Sequence, residues 1–182
     1  MAPNDTAKRA ELTDAIATIV LQDGLEALAL RGLAARLSTS GRMLLYYFGT
    51  KDALVRAVLT RISERMAVMQ DATASEALQT AGDFLANMMQ AGIDPATAPF
   101  MRLWTEVIAR AARNEAPYRD VAGHTIRAWL NWIISRLHPS PDNEATAAAV
   151  LAIMDGITIL EMARPGTTEA ARRLLPALLD RS

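Results

Sequence analysis

The segment that decides the fold covers residues 30–54 and reads LRGLAARLSTSGRMLLYYFGTKDAL. Apolar residues recur at helical spacing in two short parts of it, which predicts one helix over about 30–37 and another over about 41–47. The Ser-Thr-Ser of 38–40 separates them, because these side chains compete for backbone hydrogen bonds and favour turns. Thr50 then stands where it can cap a longer helix. The segment therefore predicts two short helices joined by a tight turn.

Another helix precedes this pair. Leu12, Ile16 and Val20 form an apolar stripe that predicts a helix over about 6–22, and Gly24 follows where a left-handed stop residue is expected. Three helices with a tight turn between the second and third are the elements of a helix-turn-helix, whose last helix enters the DNA major groove. The residues spaced to form its core are Leu33, Ala34, Leu37, Leu44 and Phe48.

Apolar residues in the remainder of the chain also recur at helical spacing, with no alternating strand pattern and no hairpin signal. The pattern predicts an all-α fold of about 9–10 helices, in which a small N-terminal head is joined to a larger helical body. Beyond the head, the expected helices cover about 51–70, 73–91, 95–115, 118–137, 141–163 and 168–179.

Composition limits the possible classes of protein. Hydrophobic residues make up 51% of the 182, enough to bury a sizeable core, and the lack of cysteine excludes disulfides and thiolate metal sites. Residues 1–65 carry nine Lys and Arg against seven Asp and Glu, an asymmetry too weak to indicate nucleic acid. The sequence shows no apolar signal core and no uncharged apolar stretch of about 18 residues. We therefore expect a cytoplasmic protein with no membrane partner, no metal and no cofactor.

Residues 30–37, Ser40 and residues 44–54 together resemble the helix-turn-helix of the TetR family of transcriptional regulators. The resemblance covers residues 8–60 and is architectural beyond them. It implies a DNA-binding domain over 1–52 and an all-helical ligand-binding and dimerisation domain over 53–182, linked through the fourth helix. It also implies a sequence-specific regulator, usually a repressor that a small-molecule inducer releases from a palindromic operator in double-stranded DNA.

Three positions depart from the pattern of that family. Ala29 stands where a Thr usually caps the second helix, which removes a cap worth about 1 kcal/mol. Ser38 replaces the usual Gly of the turn, so a left-handed Ser is expected there. Leu45 replaces a common Tyr and removes one hydroxyl that could contact a phosphate. These departures leave the fold intact and bear on the strength of backbone contacts.

The resemblance also assigns roles to residues of the head. Arg42 is the candidate for reading a base edge, because Arg can donate two hydrogen bonds to guanine, and Ser40 and Met43 are expected to touch bases. The expected phosphate contacts are Tyr46, Tyr47, Thr50 and Lys51, the last two at a helix N-terminus that attracts anions. Packing of one of the two tyrosines in the core is an equal alternative. Lys8 and Arg9 either reach a flanking phosphate or belong to a frayed terminus.

For the body, the resemblance implies a homodimer formed through the helices over 118–137 and 143–163. The expected interface residues lie near one face of the second of these helices, and the expected ligand contacts are bulky apolar residues suited to a small apolar or amphipathic molecule. Ordinary core packing is the alternative for each ligand residue, and Glu106, His124 and Glu161 are possible polar anchors. The interface residues are Ala148, Leu151, Asp155, Ile159 and Met162, and the ligand residues are Phe84, Met88, Trp104, Ile108 and Trp129.

Two other classes of protein compete with a regulator. An enzyme built on a helical bundle would need reactive groups, but the chain has two histidines, no cysteine and no metal or phosphate-loop motif. We therefore expect no catalysis. The other alternative is a ligand-binding or protein-interaction protein whose head no longer binds DNA. DNA affinity with a steep salt dependence would separate the regulator from both.

Overall fold

The computed structural model describes residues 3–74, 77–91 and 95–180. These residues form nine α-helices and no strand, which confirms the all-α prediction. They fall into two compact units, one of residues 1–71 with 99–124 and the other of residues 72–98 with 125–182. Each unit is therefore discontinuous in sequence and has a core of its own.

The first unit contains the helix-turn-helix. Helix α1 covers Pro3–Asp23 and a single 3-10 turn covers Leu25–Leu28. The paired short helices are α2 over Leu30–Arg36 and α3 over Gly41–Phe48, and α4 covers Lys51–Thr73. Helix α6 over Ala98–Ala112 and the start of α7 over Tyr118–Ile134 complete the unit.

One continuous apolar core holds this unit together. The predicted core residues Leu33, Ala34, Leu44 and Phe48 are buried in it, and Leu37 packs against it from a half-buried position. The stripe of α1 is buried in the same core through Leu12, Ile16 and Val20, and α4, α6 and α7 add Leu54, Val58, Leu103 and Val121. Burial of this apolar surface fixes α3 on the bundle and leaves its other face for solvent.

The second unit consists of α5 over Ala81–Ala91, the end of α7, α8 over Asn143–Ala163 and α9 over Glu169–Leu179. Its core contains Phe84, Leu85, Ile133 and Val150 in fully buried positions. The side chain of Arg172 on α9 donates to the carbonyl of Met89 at 2.6 Å, near the end of α5. A guanidinium at that end satisfies a carbonyl that has no partner within its own helix.

The fifth helix begins eight residues later than the pattern predicts, at Ala81 rather than at 73, and α4 extends to Thr73. The side chain of Thr80 accepts from the backbone N–H of Asp83 and caps α5 at that point. Gln79 is tied to the α7–α8 connection, since its N–H donates to the Arg136 carbonyl at 2.9 Å and its carbonyl accepts from His138 at 3.0 Å. These long-range backbone bonds hold Gln79 outside a helix, although the surrounding sequence has helical spacing.

Helix α8 is strongly apolar, although Glu144, Asp155 and Glu161 interrupt its apolar residues. With 21 residues, α8 is long and apolar enough to cross a membrane by length and composition, although only 11% of its most apolar stretch is buried in the protein. A core helix would be largely buried. Most of this stretch is therefore not buried within the chain, and a single helix of this kind is weak evidence for a membrane.

Candidate nucleic-acid interface

The turn between α2 and α3 has the conformation that its sequence predicts. Ser38 has a φ of 50°, in the left-handed region that favours glycine. Leu37 is the C-cap of α2, and its N–H donates to the carbonyl of Leu33. Ala29 stands at the N-cap of α2 in an extended conformation with no side-chain hydrogen bond. The missing cap and the strained Ser are therefore both real features of this head.

The start of α3 is capped by Ser40, whose hydroxyl accepts from the backbone N–H of Met43 at 3.1 Å. Burial of Leu44 and Phe48 directs one face of α3 into the core, while Arg42 and Met43 on the helix and Ser40 at its N-cap are exposed. A short exposed helix face with a guanidinium near its N-terminus has the dimensions and the donors that base-edge recognition requires.

The two tyrosines of α3 have different environments. Tyr46 is 63% exposed, whereas Tyr47 is half-buried and packs against the core. Their rings meet edge to face with centroids 5.2 Å apart. Tyr47 therefore takes the core alternative, and Tyr46 remains outside. Its hydroxyl donates to the carboxylate of Asp5 on α1 at 3.3 Å, and this charge raises the pKa of Tyr46.

The N-terminal residues of α1 are helical rather than frayed. Lys8 forms an ion pair with Glu11 at 2.9 Å, and the guanidinium of Arg9 lies over the ring of Phe48 at 5.3 Å from its centroid. Each cation therefore has a partner within the protein, and the cation–π contact of Arg9 ties α1 to α3.

Thr50 and Lys51 lie at the start of α4, where both are exposed. The Thr50 hydroxyl accepts from the N–H of Ala53 at 3.1 Å, which confirms Thr50 as the helix cap. The hydroxyl keeps its own proton as a donor. Because a helix N-terminus carries partial positive charge, this position suits a phosphate group.

Two arginines of α4 clamp Asp14 of α1. One carboxylate oxygen of Asp14 accepts from Arg61 and from Arg65, each at 2.7 Å, and Arg65 also donates to the Asp14 carbonyl at 2.9 Å. The hydrogen bonds from Arg61 and Arg65 hold the pKa of Asp14 below its usual value. The clamp fixes the direction of α4 relative to the head.

A residue of α6 also contacts the head, next to the 3-10 turn. Glu106 accepts from the backbone N–H of Leu25 at 2.8 Å, directly after Gly24, whose φ is 77°. Arg110 lies 3.5 Å from Glu26 in the same turn. Glu106 thus serves as an external cap for a turn with no side-chain cap of its own.

The predicted ligand residues fall into two groups. Phe84, Met88 and Trp129 belong to the second unit, where the ring of Trp132 meets Phe84 at 5.5 Å and Trp129 at 5.6 Å between centroids. Trp104 and Ile108 pack against the core of the first unit. A cavity of about 210 Å³ lies in the first unit between the end of α1 and the start of α6, and these five residues are not among its lining residues.

The predicted interface face of α8 is largely open. Ala148, Ile159 and Met162 are exposed, Ile159 to 50%, while Leu151 and Asp155 are half-buried. Two leucines of α9 outside the predicted interface, Leu174 and Leu178, are exposed to 64% and 57%. Glu161 on α8 accepts from the backbone N–H groups of Gly166 and Thr168 and so holds the α8–α9 connection.

The fold and the exposed face of α3 define a helix-turn-helix transcriptional regulator with a helical C-terminal domain. Residues 12–58 match the N-terminal domain of the bacterial regulatory proteins of the TetR family, and residues 81–182 match the C-terminal domain of BetI-type transcriptional repressors. The chain belongs to the TetR family. No curated protein matches it significantly.

Several solved structures share this fold. A protein from Rhodococcus sp. assigned to the TetR family is 25% identical, with a TM-score of 0.71 over 96% of this chain and 97% of its own. A transcriptional regulator from Rhodococcus sp. Rha1 is 19% identical, with a TM-score of 0.73 over 94% and 95%. The multidrug binding protein EbrR in complex with proflavin is 24% identical, with a TM-score of 0.69 over 93% and 98%.

Sequence reasoning missed two carboxylates of the head and the capping role of Glu106 on α6. Asp5, Asp14 and Glu106 each bond a group that is distant along the chain, on α3, α4 and the 3-10 turn. A carboxylate on a helix surface gives no sequence signal of such a partner, because solvent exposure explains it equally well.

Proposed function

We propose that this regulator is a homodimeric repressor, which binds a palindromic operator in double-stranded DNA through α3 and leaves it when a small molecule binds. The observation that carries the DNA part is the exposed face of α3, with Ser40, Arg42 and Met43 outward and Leu44 and Phe48 buried. In this role Arg42 reads a base edge, while Tyr46, Thr50 and Lys51 bind phosphates and Tyr47 supports α3 from the core.

The decisive experiment compares Arg42→Ala with Lys51→Ala by fluorescence anisotropy on operator DNA and on a scrambled duplex. Loss of a base contact lowers operator affinity by about 1–3 kcal/mol and relaxes specificity, whereas loss of a phosphate contact weakens both duplexes alike and reduces the salt slope by about 1. Arg119→Ala removes the same charge from the surface of α7 and serves as the control. Unchanged discrimination in Arg42→Ala would disprove the assignment of Arg42.

The exposed apolar residues of α8 and α9 support dimerisation through these two helices. Ile159 and Met162 on α8 and Leu174 and Leu178 on α9 present apolar surface to solvent, and soluble monomers rarely keep such surface contiguous and open. We therefore propose that α9 accompanies α8 in the interface and that the protein is soluble in the cytoplasm. Recovery from the membrane fraction of a lysate would contradict this.

A small apolar or amphipathic ligand is supported by the aromatic residues of the second unit and by proflavin binding in EbrR. Phe84, Trp129 and Trp132 form an edge-to-face cluster, with Met88 beside the same core. Quenching of tryptophan fluorescence by flat organic cations, compared between wild type and Trp129→Phe, tests the proposal. We expect saturable quenching, and we expect the same compounds to release operator DNA. The regulator needs no catalytic step.

A further inference from the structure

Asp5 and Tyr46 form a contact that the proposed function does not use. The Tyr46 hydroxyl donates to a carboxylate oxygen of Asp5 at 3.3 Å, although Tyr46 lies on the face of α3 that is proposed to meet DNA. We propose that the Asp5 carboxylate competes with a DNA phosphate for the hydroxyl of Tyr46, and that it thereby lowers the affinity of the protein for DNA of any sequence. This inference rests on the proposed function.

The competition follows from the single proton of a phenol. Tyrosine donates one hydrogen bond, and both a carboxylate and a phosphate oxygen accept it, so the Tyr46 hydroxyl cannot serve both. A tyrosine hydroxyl keeps its proton at neutral pH, and the Asp5 carboxylate, which raises the pKa of Tyr46, favours that protonated form further. A phosphate must displace Asp5 to take the bond.

Charge adds to the competition. A phosphate bonded to Tyr46 would lie a few ångströms from the Asp5 carboxylate, where two negative charges repel even in water. The neighbouring cations of α1 have partners of their own, since Lys8 pairs with Glu11 and Arg9 lies over Phe48. Asp5 therefore places negative charge where phosphate is expected.

A role for Asp5 in orienting Tyr46 fits the structure less well. The hydrogen bond is long for an O–H donor on a carboxylate, and Tyr46 is mainly exposed. The ring of Tyr46 already meets Tyr47 edge to face at 5.2 Å. Its orientation therefore does not depend on Asp5.

The experiment measures dissociation constants of the full chain for its operator and for a scrambled duplex by anisotropy, at low and high salt. The variants are Asp5→Ala, Tyr46→Phe and the double variant, and Asp142→Ala in the other unit is the control for loss of one negative charge. We expect Asp5→Ala to bind both duplexes about fivefold more tightly at low salt, because it removes both the competition for the Tyr46 proton and the charge repulsion. The gain shrinks at high salt as screening increases.

The double variant separates the two components. In the Tyr46→Phe background no hydroxyl is available, so removal of Asp5 should improve binding only about twofold, through charge alone. Equal gains in both backgrounds, weaker binding by Asp5→Ala, or a gain no larger than that of Asp142→Ala would overturn the inference. Failure of the wild-type protein to bind any duplex would overturn the proposed function and the inference with it.

The contact itself is tested without DNA. Ultraviolet titration of the tyrosines should show one hydroxyl with a lower pKa in Asp5→Ala than in wild type, because the raising charge is gone. An unchanged tyrosine titration would overturn the inference even if the wild-type protein binds its operator. The two measurements therefore distinguish failure of the inference from failure of the proposed function.

Discussion

Single residues of the head depart from the TetR pattern, and the structure gives each departure a local consequence. Ala29 occupies the N-cap of α2 without a side-chain bond, and Ser38 adopts a φ of 50° in the turn. Both positions cost stability in the part of the molecule that is proposed to contact DNA. Neither moves the buried residues Leu33, Ala34 and Leu44 out of the core.

Ala29→Ser should stabilise the protein by about 1 kcal/mol, because a serine hydroxyl at an N-cap accepts from a backbone N–H of the first turn. The extended backbone of Ala29, with φ of −67° and ψ of 116°, is the conformation such a cap requires. Ala35→Ser is the matched control, since it places the same side chain inside α2, where serine is slightly unfavourable. Denaturant unfolding measures both, and equal midpoints would refute the prediction.

Asp14 should make stability depend on pH. Its folded pKa lies below the usual value of 3.8 because Arg61 and Arg65 bond the carboxylate, so the ionised form is favoured by folding. The stabilisation is therefore present above the unfolded pKa and is lost as the pH falls through the folded pKa. Its magnitude is modest, because the side chain is 44% exposed.

Asp14→Asn tests this dependence. We expect the variant to be less stable than wild type at pH 7. The difference in unfolding free energy should start to shrink near pH 4, where the unfolded carboxyl takes up a proton, and should vanish only as the pH falls through the lowered folded pKa of Asp14. Glu64→Gln, which loses a single exposed ion pair with Arg61 at 3.2 Å, should show a smaller change. A difference that stays constant from pH 7 to pH 3 would exclude the clamp as its cause.

At the scale of elements, α5 and α9 depend on a close approach at Gly82. Asp180 at the end of α9 accepts from the N–H of Gly82 at 2.7 Å and from the hydroxyl of Thr80 at 3.1 Å. A carboxylate is well placed at a helix N-terminus. A Cβ at Gly82 would lie far inside contact distance of the Pro176 carbonyl oxygen and of the Asp180 carboxylate.

Gly82→Ala should therefore destabilise the protein by about 2 kcal/mol, since the backbone of α9 has to move away from α5. Gly32→Ala is a matched control on the exposed side of α2, where an added Cβ meets no atom within 4 Å and should stabilise by up to about 1 kcal/mol. Thermal and denaturant unfolding of the two variants measure the effect. Equal stability of the two variants would contradict the close packing of α5 and α9.

The elements themselves could largely be predicted, because apolar residues at helical spacing also form the buried stripes of the structure. Leu12, Ile16 and Val20 of α1 are an example, all buried where the pattern places them. The start of α5 could not be predicted, since Gln79 is held by backbone bonds to residues 136 and 138. Sequence spacing carries information only on neighbours along the chain, so it does not predict a partner nearly sixty residues away.

The same limit applies to the candidate site: features set by local spacing could be predicted, and contacts between separate helices could not. The outward face of α3 follows from the burial of Leu44 and Phe48 in the same helix, which local spacing reveals. The contact between Asp5 and Tyr46 depends on how α1 packs against α3, and spacing contains no information on it. The DNA and ligand roles of the chosen residues stay predictions.

At the scale of the whole molecule, the open apolar surface of α8 and α9 should decide both assembly and DNA binding. Ile159→Glu places a charge on a residue that is 50% exposed in one chain, so the fold of the chain should tolerate it within about 0.5 kcal/mol. In a dimer formed through α8 the same charge would be buried without a partner. We therefore expect a folded monomer of 19.7 kDa, against twice that mass for wild type in sedimentation equilibrium.

Because two linked heads bind two half-sites far more tightly than one, operator affinity should fall about a hundredfold or more. Val68→Glu, at another exposed apolar residue on α4, should stay dimeric; a dimeric Ile159→Glu would exclude this face as the interface.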